Sequence, residues 1–307
     1  MVTDRGVFGF SVQSELPLTF VRPCKSADVL TVDDAPSESM ARDDRPIHEW
    51  RFNDPTGDVM GRLHNAGSSY HVWFADAGWF RVDPVARRIT APREAEPVIR
   101  ELRMWGIPTT LCSVERGDAS LHAAAVDIGG SAVLLAAPGQ HGKTTLALAF
   151  HACGHRVLSE DVACCRLDAT PALCPGPASL RVRPDMFGGS APEGSTVVAE
   201  RPDRIVLRID DVRAGSADPV PIRAILFLRQ TDNDIRFEPV DPVRALPDLY
   251  ALSFRIGGRE SAAETFARVS RLAAATTIWN LYRPLRLDNL EEVVAQVATA
   301  PFLRDTR

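Results

Sequence analysis

The chain has 307 residues, 45% apolar and 24% charged, an ordinary globular composition with ample material for a core and a length that suits two domains. A formal net charge of −5 argues against a polyanion-binding surface, so no nucleic-acid partner is expected. Asp4 and Arg5 precede no apolar h-region and no window approaches an uninterrupted membrane-spanning apolar run, so neither a signal peptide nor a membrane span is expected, and the cytoplasm is the expected compartment.

Residues 1–115 are rich in Trp, Phe, Val and turn formers, which predicts a β-rich N-terminal domain. Strands are expected at Val7–Phe10, Tyr70–Phe74 and Trp79–Val82, with Asp76-Ala77-Gly78 as the hairpin turn between the last two. Asp33 to Glu49 is acidic, contains Pro and lacks a pattern, so an exposed loop is expected. A helix is expected from Pro97 to Trp105, broken before Pro108.

A second domain is expected over residues 116–307. Leu121–Ile128 and Ala132–Ala136 read as strands, and Gly129-Gly130 between them is a tight hairpin signal. Thr144 to Cys153 reads as a helix with Leu146, Phe150 and Cys153 on one face and Gly154 as its stop. Arg156 to Cys165 reads as a strand interrupted by the acidic pair Glu160-Asp161. Gly188 to Asp203 is long and rich in turn formers, which predicts a mobile lid. Strands are expected at Ile205–Ile209 and Ile222–Leu228. Ser261-Ala262-Ala263-Glu264 is a capping box opening a helix with Phe266, Val269 and Ala273 on one face, and a final helix is expected from Leu290 to Ala298.

Between strand and helix, Ala137-Pro138-Gly139-Gln140-His141-Gly142-Lys143-Thr144 satisfies the P-loop spacing [AG]-x-x-x-x-G-K-[ST]. Such a loop aims successive backbone N–H groups and a helix N-terminus at a triphosphate, with the Lys on the β/γ oxygens and the Thr hydroxyl on Mg²⁺. Only Lys25 and Lys143 among the 35 basic residues are lysines. A guanidinium cannot replace a compact ammonium inside a tight phosphate loop, so a Lys at this position in an Arg-rich chain is chemically pointed.

Leu121-His122-Ala123, the loop, Gly154-His155-Arg156 after its helix, and Glu160-Asp161 where the family usually has two aspartates together resemble the HPr kinase/phosphorylase family. More closely, the chain looks like the HPr-kinase-like serine kinases of ribosomal peptide biosynthesis, such as lasso-peptide kinases. Phe8-Gly9-Phe10 with Ser14-Glu15-Leu16-Pro17-Leu18, Leu180 to Asp185, and Asp203-Arg204 are weaker echoes. The resemblance implies an α/β fold with a P-loop, HPr-kinase/PEP-carboxykinase-like core, ATP and Mg²⁺ as cofactors, and a serine-bearing peptide or protein as phosphate acceptor. It leaves a homo-oligomer open. The chain departs from the family at Gln140, where Gly is usual, and at His141, where a small residue is usual. A Gln held left-handed would cost about 1 kcal/mol or more.

The site expected from these readings has Lys143, Asp161 and His122 as catalytic groups. Pro138, Gly139, Gln140, His141, Gly142, Lys143, Thr144, Thr145 and Arg204 would bind nucleotide, and Thr144 and Glu160 would hold the metal. The resemblance favours Asp161 as base and Glu160 on the metal side, with the order left open. Ile205–Ile209 followed by Asp210-Asp211 competes as a Walker-B strand, and Arg181 and Arg183 join Arg204 as sources of charge for the transition state. A translational-GTPase reading of His141 to Leu146 fails because neither lysine follows an Asn, as guanine reading by Asn-Lys-x-Asp would require. Six cysteines without a C-x-x-C pair suit packed, reduced thiols. Cys153, His155, Cys164 and Cys165 lie close in sequence, but adjacent cysteines on a strand face opposite ways, which speaks against zinc. His151 and His155 are four apart, but Gly154 ends the helix between them. The expected activity is transfer of phosphate to a hydroxyl; a small-molecule hydroxyl kinase and a nucleotide-binding scaffold without turnover are the alternatives.

Overall fold

A computed structural model of the chain describes residues 4–51, 56–256 and 261–303. Its architecture is mixed α/β with two large sheets. The N-terminal sheet is built from β1 (Arg5–Val7), β2 (Phe10–Ser14), β3 (Arg22–Pro23), β4 (Val29–Ala35), β5 (His48–Arg51), β6 (Val59–Ala66), β7 (Ser69–Phe74), β8 (Gly78–Asp83) and β9 (Arg88–Pro92). Their spatial order is β3-β1-β2-β4-β9-β8-β7-β6-β5, antiparallel except that β4 runs parallel to β2 and β9. Val7–Phe10 is not one strand as expected. Phe8 and Gly9 stand at φ 51° and 71°, the paired positive values of a tight hairpin turn, so the segment is the tip joining β1 to β2.

The acidic stretch also differs from its expectation. Asp33 to Ala35 lies in β4, where Leu30 and Val32 are buried while Asp33 and Asp34, both half-buried, pair with Arg88 at 2.6 Å and Arg93 at 3.1 Å. The carboxylates mask the alternation. His48 and Glu49 open β5, and a 3-10 turn over Ser37–Met40 buries Met40. Two helices cross this sheet: α1 (Pro97–Met104), capped by the Glu96 carboxylate on the Val98 and Ile99 amides, and α2 (Ile107–Arg116). The break between them falls at Gly106, and Pro108 sits in the first turn of α2, where a missing N–H costs nothing.

The second half contains β10 (Ala119–Leu121), β11 (Ala123–Ile128), β12 (Ser131–Ala136), α3 (Lys143–Ala152), β13 (Arg156–Ser159), β14 (Ala163–Arg166), β15 (Ala172–Cys174), β16 (Ser179–Val182), β17 (Ser195–Glu200) and β18 (Ile205–Ile209). It continues with α4 (Asp211–Ala214), β19 (Val220–Gln230), β20 (Arg236–Pro239), α5 (Pro242–Leu252), α6 (Ala262–Ala275), β21 (Thr277–Arg283) and α7 (Leu290–Ala298). β13, β11, β12, β19, β21 and β20 lie side by side, and β12 runs parallel to β19 and β19 to β21. Gly129 and Gly130 close the β11–β12 hairpin at φ 62° and 81°, as expected.

These central strands read as unbroken apolar runs because both faces are covered. In β12, Val133 and Leu135 pack toward α3 and α7, whereas Ala132, Leu134 and Ala136 pack toward α5 and α6. Leu146 and Phe150 of α3 are buried on the first side, but Cys153, expected beside them, is exposed just past the helix end. Phe266 of α6 is likewise exposed, edge-on to Tyr250, while Val269 and Ala273 are buried as expected. Cys164 and Cys165 do face opposite ways, into two different cores.

Gly188 to Asp203 holds a strand, β17, and not an open lid. With β16 and β18 it makes a small antiparallel sheet over α3. β18, the rival Walker-B strand, therefore does not lie beside β12. Its Asp210 stands just before α4 and Asp211 pairs with Arg5 at 2.7 Å, and neither lines the cavity described next. No helix among the described residues is long and apolar enough to cross a membrane.

Candidate phosphate-binding site

β12 ends at Ala136 at one edge of the sheet, and the loop to α3 turns over that edge. Two residues make the turn in the left-handed region: Gln140 at φ 66° and Gly142 at φ 75°. A Cβ on Gly142 would stand 2.5 Å from Nη2 of Arg283, so this glycine is required by space as well as by conformation. Arg283, at the end of β21, is buried; its Nη2 donates to the carbonyls of His141 at 3.2 Å and Gly142 at 3.4 Å. It braces the loop from behind. No local pattern marks Arg283, because the alternation of β21 is short and its last residue is charged.

The Lys143 ammonium is buried under the loop, donating to the Ala137 carbonyl at 2.8 Å, the Pro138 carbonyl at 3.0 Å and Nε2 of His122 at 3.0 Å. All three of its protons are thereby used. Burial lowers its pKa, opposed by the carboxylates of Asp161 and Glu160. His122, in the turn between β10 and β11, meets the Asp161 carbonyl through Nδ1 at 3.2 Å, which leaves Nε2 as the acceptor for Lys143. Burial first, and then the neighbouring ammonium, lower the His122 pKa.

The break between β13 and β14 delivers the acidic pair. Glu160 is buried and accepts from the Thr144 hydroxyl at 3.1 Å; burial raises its pKa, with Arg181 acting against that. Asp161 is more open. Burial would raise its pKa too, but the charges of Arg181, His122 and Lys143 outweigh it and bring it down. Arg181, on β16, holds both carboxylates, with Nε 3.2 Å from Glu160 and Nη2 on Asp161. The two acids thus stand in different protonation environments a residue apart.

These groups wall one cavity of about 550 Å³. Of the residues expected to act there, His122, Gly139, Gln140, Gly142, Lys143, Thr144, Thr145, Glu160, Asp161 and Arg204 line it. Pro138 contributes only its carbonyl to Lys143. His141 does not line it: its Nδ1 turns back onto the Gly139 carbonyl at 2.8 Å, a contact that leaves the ring no phosphate to face. Six basic side chains line the cavity against two carboxylates: Lys143 and Arg181 at its floor, then Arg183, Arg204, Arg283 and Arg286. Its outer wall is apolar, formed by Met186, Leu285, Leu287 and Leu290.

One solved structure to which the chain is similar is the Hpr(Ser) kinase/phosphatase from Coxiella burnetii, at 14% identity and a TM-score of 0.31, over 60% of this chain and 93% of that one. No family model matches the chain, and no curated protein does. The site's own geometry therefore carries the functional reading.

Proposed function

We propose that the protein is an ATP-dependent phosphotransferase acting in the cytoplasm, its P-loop core spanning residues 116–307, and that it places the γ-phosphoryl group on a hydroxyl, that of a serine in a peptide or protein. The observation that carries this reading is the meeting, in one cation-rich cavity, of a buried loop lysine and a helix-start threonine with two carboxylates held in unlike environments. Phosphoryl transfer needs such parts: positioning, charge stabilisation and a base.

The loop amides and Lys143 bind the β/γ-phosphates, with Lys143 exchanging its carbonyl and imidazole partners for phosphate oxygens. Thr144 and Glu160, already 3.1 Å apart, are an all-oxygen pair of the kind that Mg²⁺ takes when substrate phosphates complete its shell. Among the described residues no cluster of three or more His, Cys, Asp or Glu could hold a metal alone, so the donor set fits a metal that arrives with nucleotide. Bound there, Mg²⁺ would neutralise charge on the β- and γ-oxygens. Asp161, the more open of the two acids, is the base for the attacking hydroxyl. Arg181 restrains both carboxylates and lines the cavity as a fixed positive charge for the transferring group. The Leu285, Leu287 and Met186 side chains offer the nucleobase an apolar platform.

The decisive experiment is mass spectrometry of serine-bearing acceptors after incubation with ATP, Mg²⁺ and the purified protein, with nucleotide affinity measured by calorimetry. An 80 Da gain on the acceptor, lost together with ATP binding in Lys143→Ala, is the expected result. Unaltered ATP affinity and transfer in Lys143→Ala would remove the assignment. ATP binding with no acceptor ever modified would leave a nucleotide-binding scaffold.

A further inference from the structure

A second cavity, of about 370 Å³, adjoins the first across the acidic pair: His122, Glu160, Asp161 and Arg181 belong to the walls of both. Most of its remaining walls come from the N-terminal half of the chain, joined by Ser159, Val162, Pro177, Ser179 and Phe254 from the second half. Trp50 of β5, Met60 of β6, Phe74 of β7, Trp105 and Ile107 at the α1–α2 junction, and Phe254 after α5 line it. Phe254 stands edge-on to His122 with ring centroids 6.2 Å apart, so the apolar wall reaches the carboxylate pair itself. The added cation in this wall, Arg103, is already neutralised: its Nε and Nη2 each lie 2.9 Å from Asp76, and its guanidinium covers the Phe74 ring. The carboxylates shared with the first cavity are both held by Arg181.

Resting on the phosphotransferase reading, we infer that this chamber binds the acceptor, and that the acceptor presents its hydroxyl beside an uncharged, aromatic-sized apolar group. Both cavities have Asp161 in their walls, so a donor in one and an acceptor in the other would meet at the same carboxylate, as in-line transfer requires. The acceptor O–H gives its proton to the Asp161 carboxylate, its oxygen forms a bond to the γ-phosphorus, and the bond from that phosphorus to the β–γ bridging oxygen breaks, with ADP leaving on that electron pair. An ammonium on the acceptor would find no free carboxylate in the chamber, whereas an aromatic ring would replace water against Trp50, Phe74 and Trp105. Chamber and acidic pair are joined only because α1–α2 and the N-terminal sheet pack over the break between β13 and β14.

The test compares N-acetyl-Phe-Ser-amide, N-acetyl-Gly-Ser-amide and N-acetyl-Lys-Ser-amide as acceptors, with 2-phenylethanol as a non-peptide arm. At least a tenfold higher kcat/KM for the Phe-Ser probe is expected over both other peptides. The ratio of Phe-Ser to 2-phenylethanol tells a peptide source from a small-molecule one. Ile107→Trp, which fills the chamber, and Phe254→Ala, which opens it, should each erase the preference, with ATP affinity by calorimetry reporting that the variant is folded. Independently of turnover, the Phe-Ser probe should change the fluorescence of Trp50 and Trp105 saturably, and Ile107→Trp should weaken that binding at least tenfold. Equal kcat/KM for the three peptides, or a preference that survives both substitutions, would overturn the inference. If the protein transfers no phosphate, the fluorescence titration decides: saturable Phe-Ser binding keeps the chamber and discards the chemistry, and no binding discards the chamber.

Discussion

Asp161 and Asp210 are the two residues for which sequence offers the same role and the structure very different surroundings. Asp161 lines both cavities under the charges of Arg181, His122 and Lys143; Asp210 precedes a short helix and lines neither. Asp161→Asn should keep ATP affinity within a few-fold and lose transfer by about 10²–10⁴-fold, as removal of a general base does. Asp210→Asn should transfer phosphate at close to the wild-type rate. A reversed outcome in a coupled assay of ADP release with acceptor would exchange their roles. His122 has a separate signature in acid. The unfolded ring takes a proton near the ordinary value of 6.5, while the folded ring resists it, so the unfolded state binds more protons as pH falls through 6.5 and stability falls with it. Above that value the effect vanishes. His71 and His151 act in the same direction through burial, and Glu101, raised by burial, acts against them, so only a comparison of variants isolates His122. Urea midpoints at pH 7.5 and pH 5.5 should draw apart less in His122→Gln, whose amide can still accept from Lys143, than in the wild type; an equal loss would place the titration elsewhere.

At the scale of elements, the loop from β12 to α3 stores its strain at one residue. Gln140 stands at φ 66°, which costs an L-residue about 1–2 kcal/mol, and Gly accepts that conformation freely. The entropy that Gly adds to the unfolded chain offsets part of the gain. Gln140→Gly should therefore raise the thermal midpoint or leave it in place, and a drop worth more than about 0.5 kcal/mol would mean that the Gln side chain stabilises the loop. Gly142→Ala should do the opposite. Its methyl group would displace Arg283, and the left-handed conformation adds its own cost, for about 1–3 kcal/mol in all and a weakened ATP affinity. Both variants read out in calorimetry with and without nucleotide.

Across the whole molecule, the N-terminal sheet is tied to the loop core by a buried cation with no carboxylate partner among the described residues. Arg22 of β3 donates from Nε to the Gly176 carbonyl at 2.6 Å, from Nη2 to Val157 of β13 at 2.9 Å, and from Nη1 to Ala214 of α4. Burial, with Arg156 nearby, brings its pKa down to about 9. The core of the N-terminal sheet also takes in Cys164, Cys174 and Val206 from the second half, so the halves share apolar surface. Arg22→Met would strand these carbonyls and should cost about 2–4 kcal/mol. The loss should show as a lower urea midpoint, and an unchanged midpoint would mean that water replaces the guanidinium.

The loop, its helix and the hairpin ahead of it were legible because each is written locally: a strand run, paired glycines, and a Gly-Lys-Thr helix start fix their geometry over a dozen neighbouring residues. The acidic pair was legible for the same reason, as polar residues interrupting a β pattern. Residues acting across the chain were not. Arg283 matters through contact with a loop far away in sequence, and Arg181 stood out from Arg183 and Arg204 only when β16 brought it to both carboxylates. His141 has the spacing of a phosphate neighbour, yet a hydrogen bond to its own loop turns it away. β4 hid its strand under paired carboxylates, and β17 hid in a segment whose turn formers outweighed its short apolar alternation. Local pattern thus determined by itself where a phosphate-sized loop would form and which polar residues would border it. Which arginine faces the carboxylates, which aspartate is remote, and that a second chamber opens onto the first were decided by tertiary packing, because burial and long-range pairing have no signature in neighbouring residues.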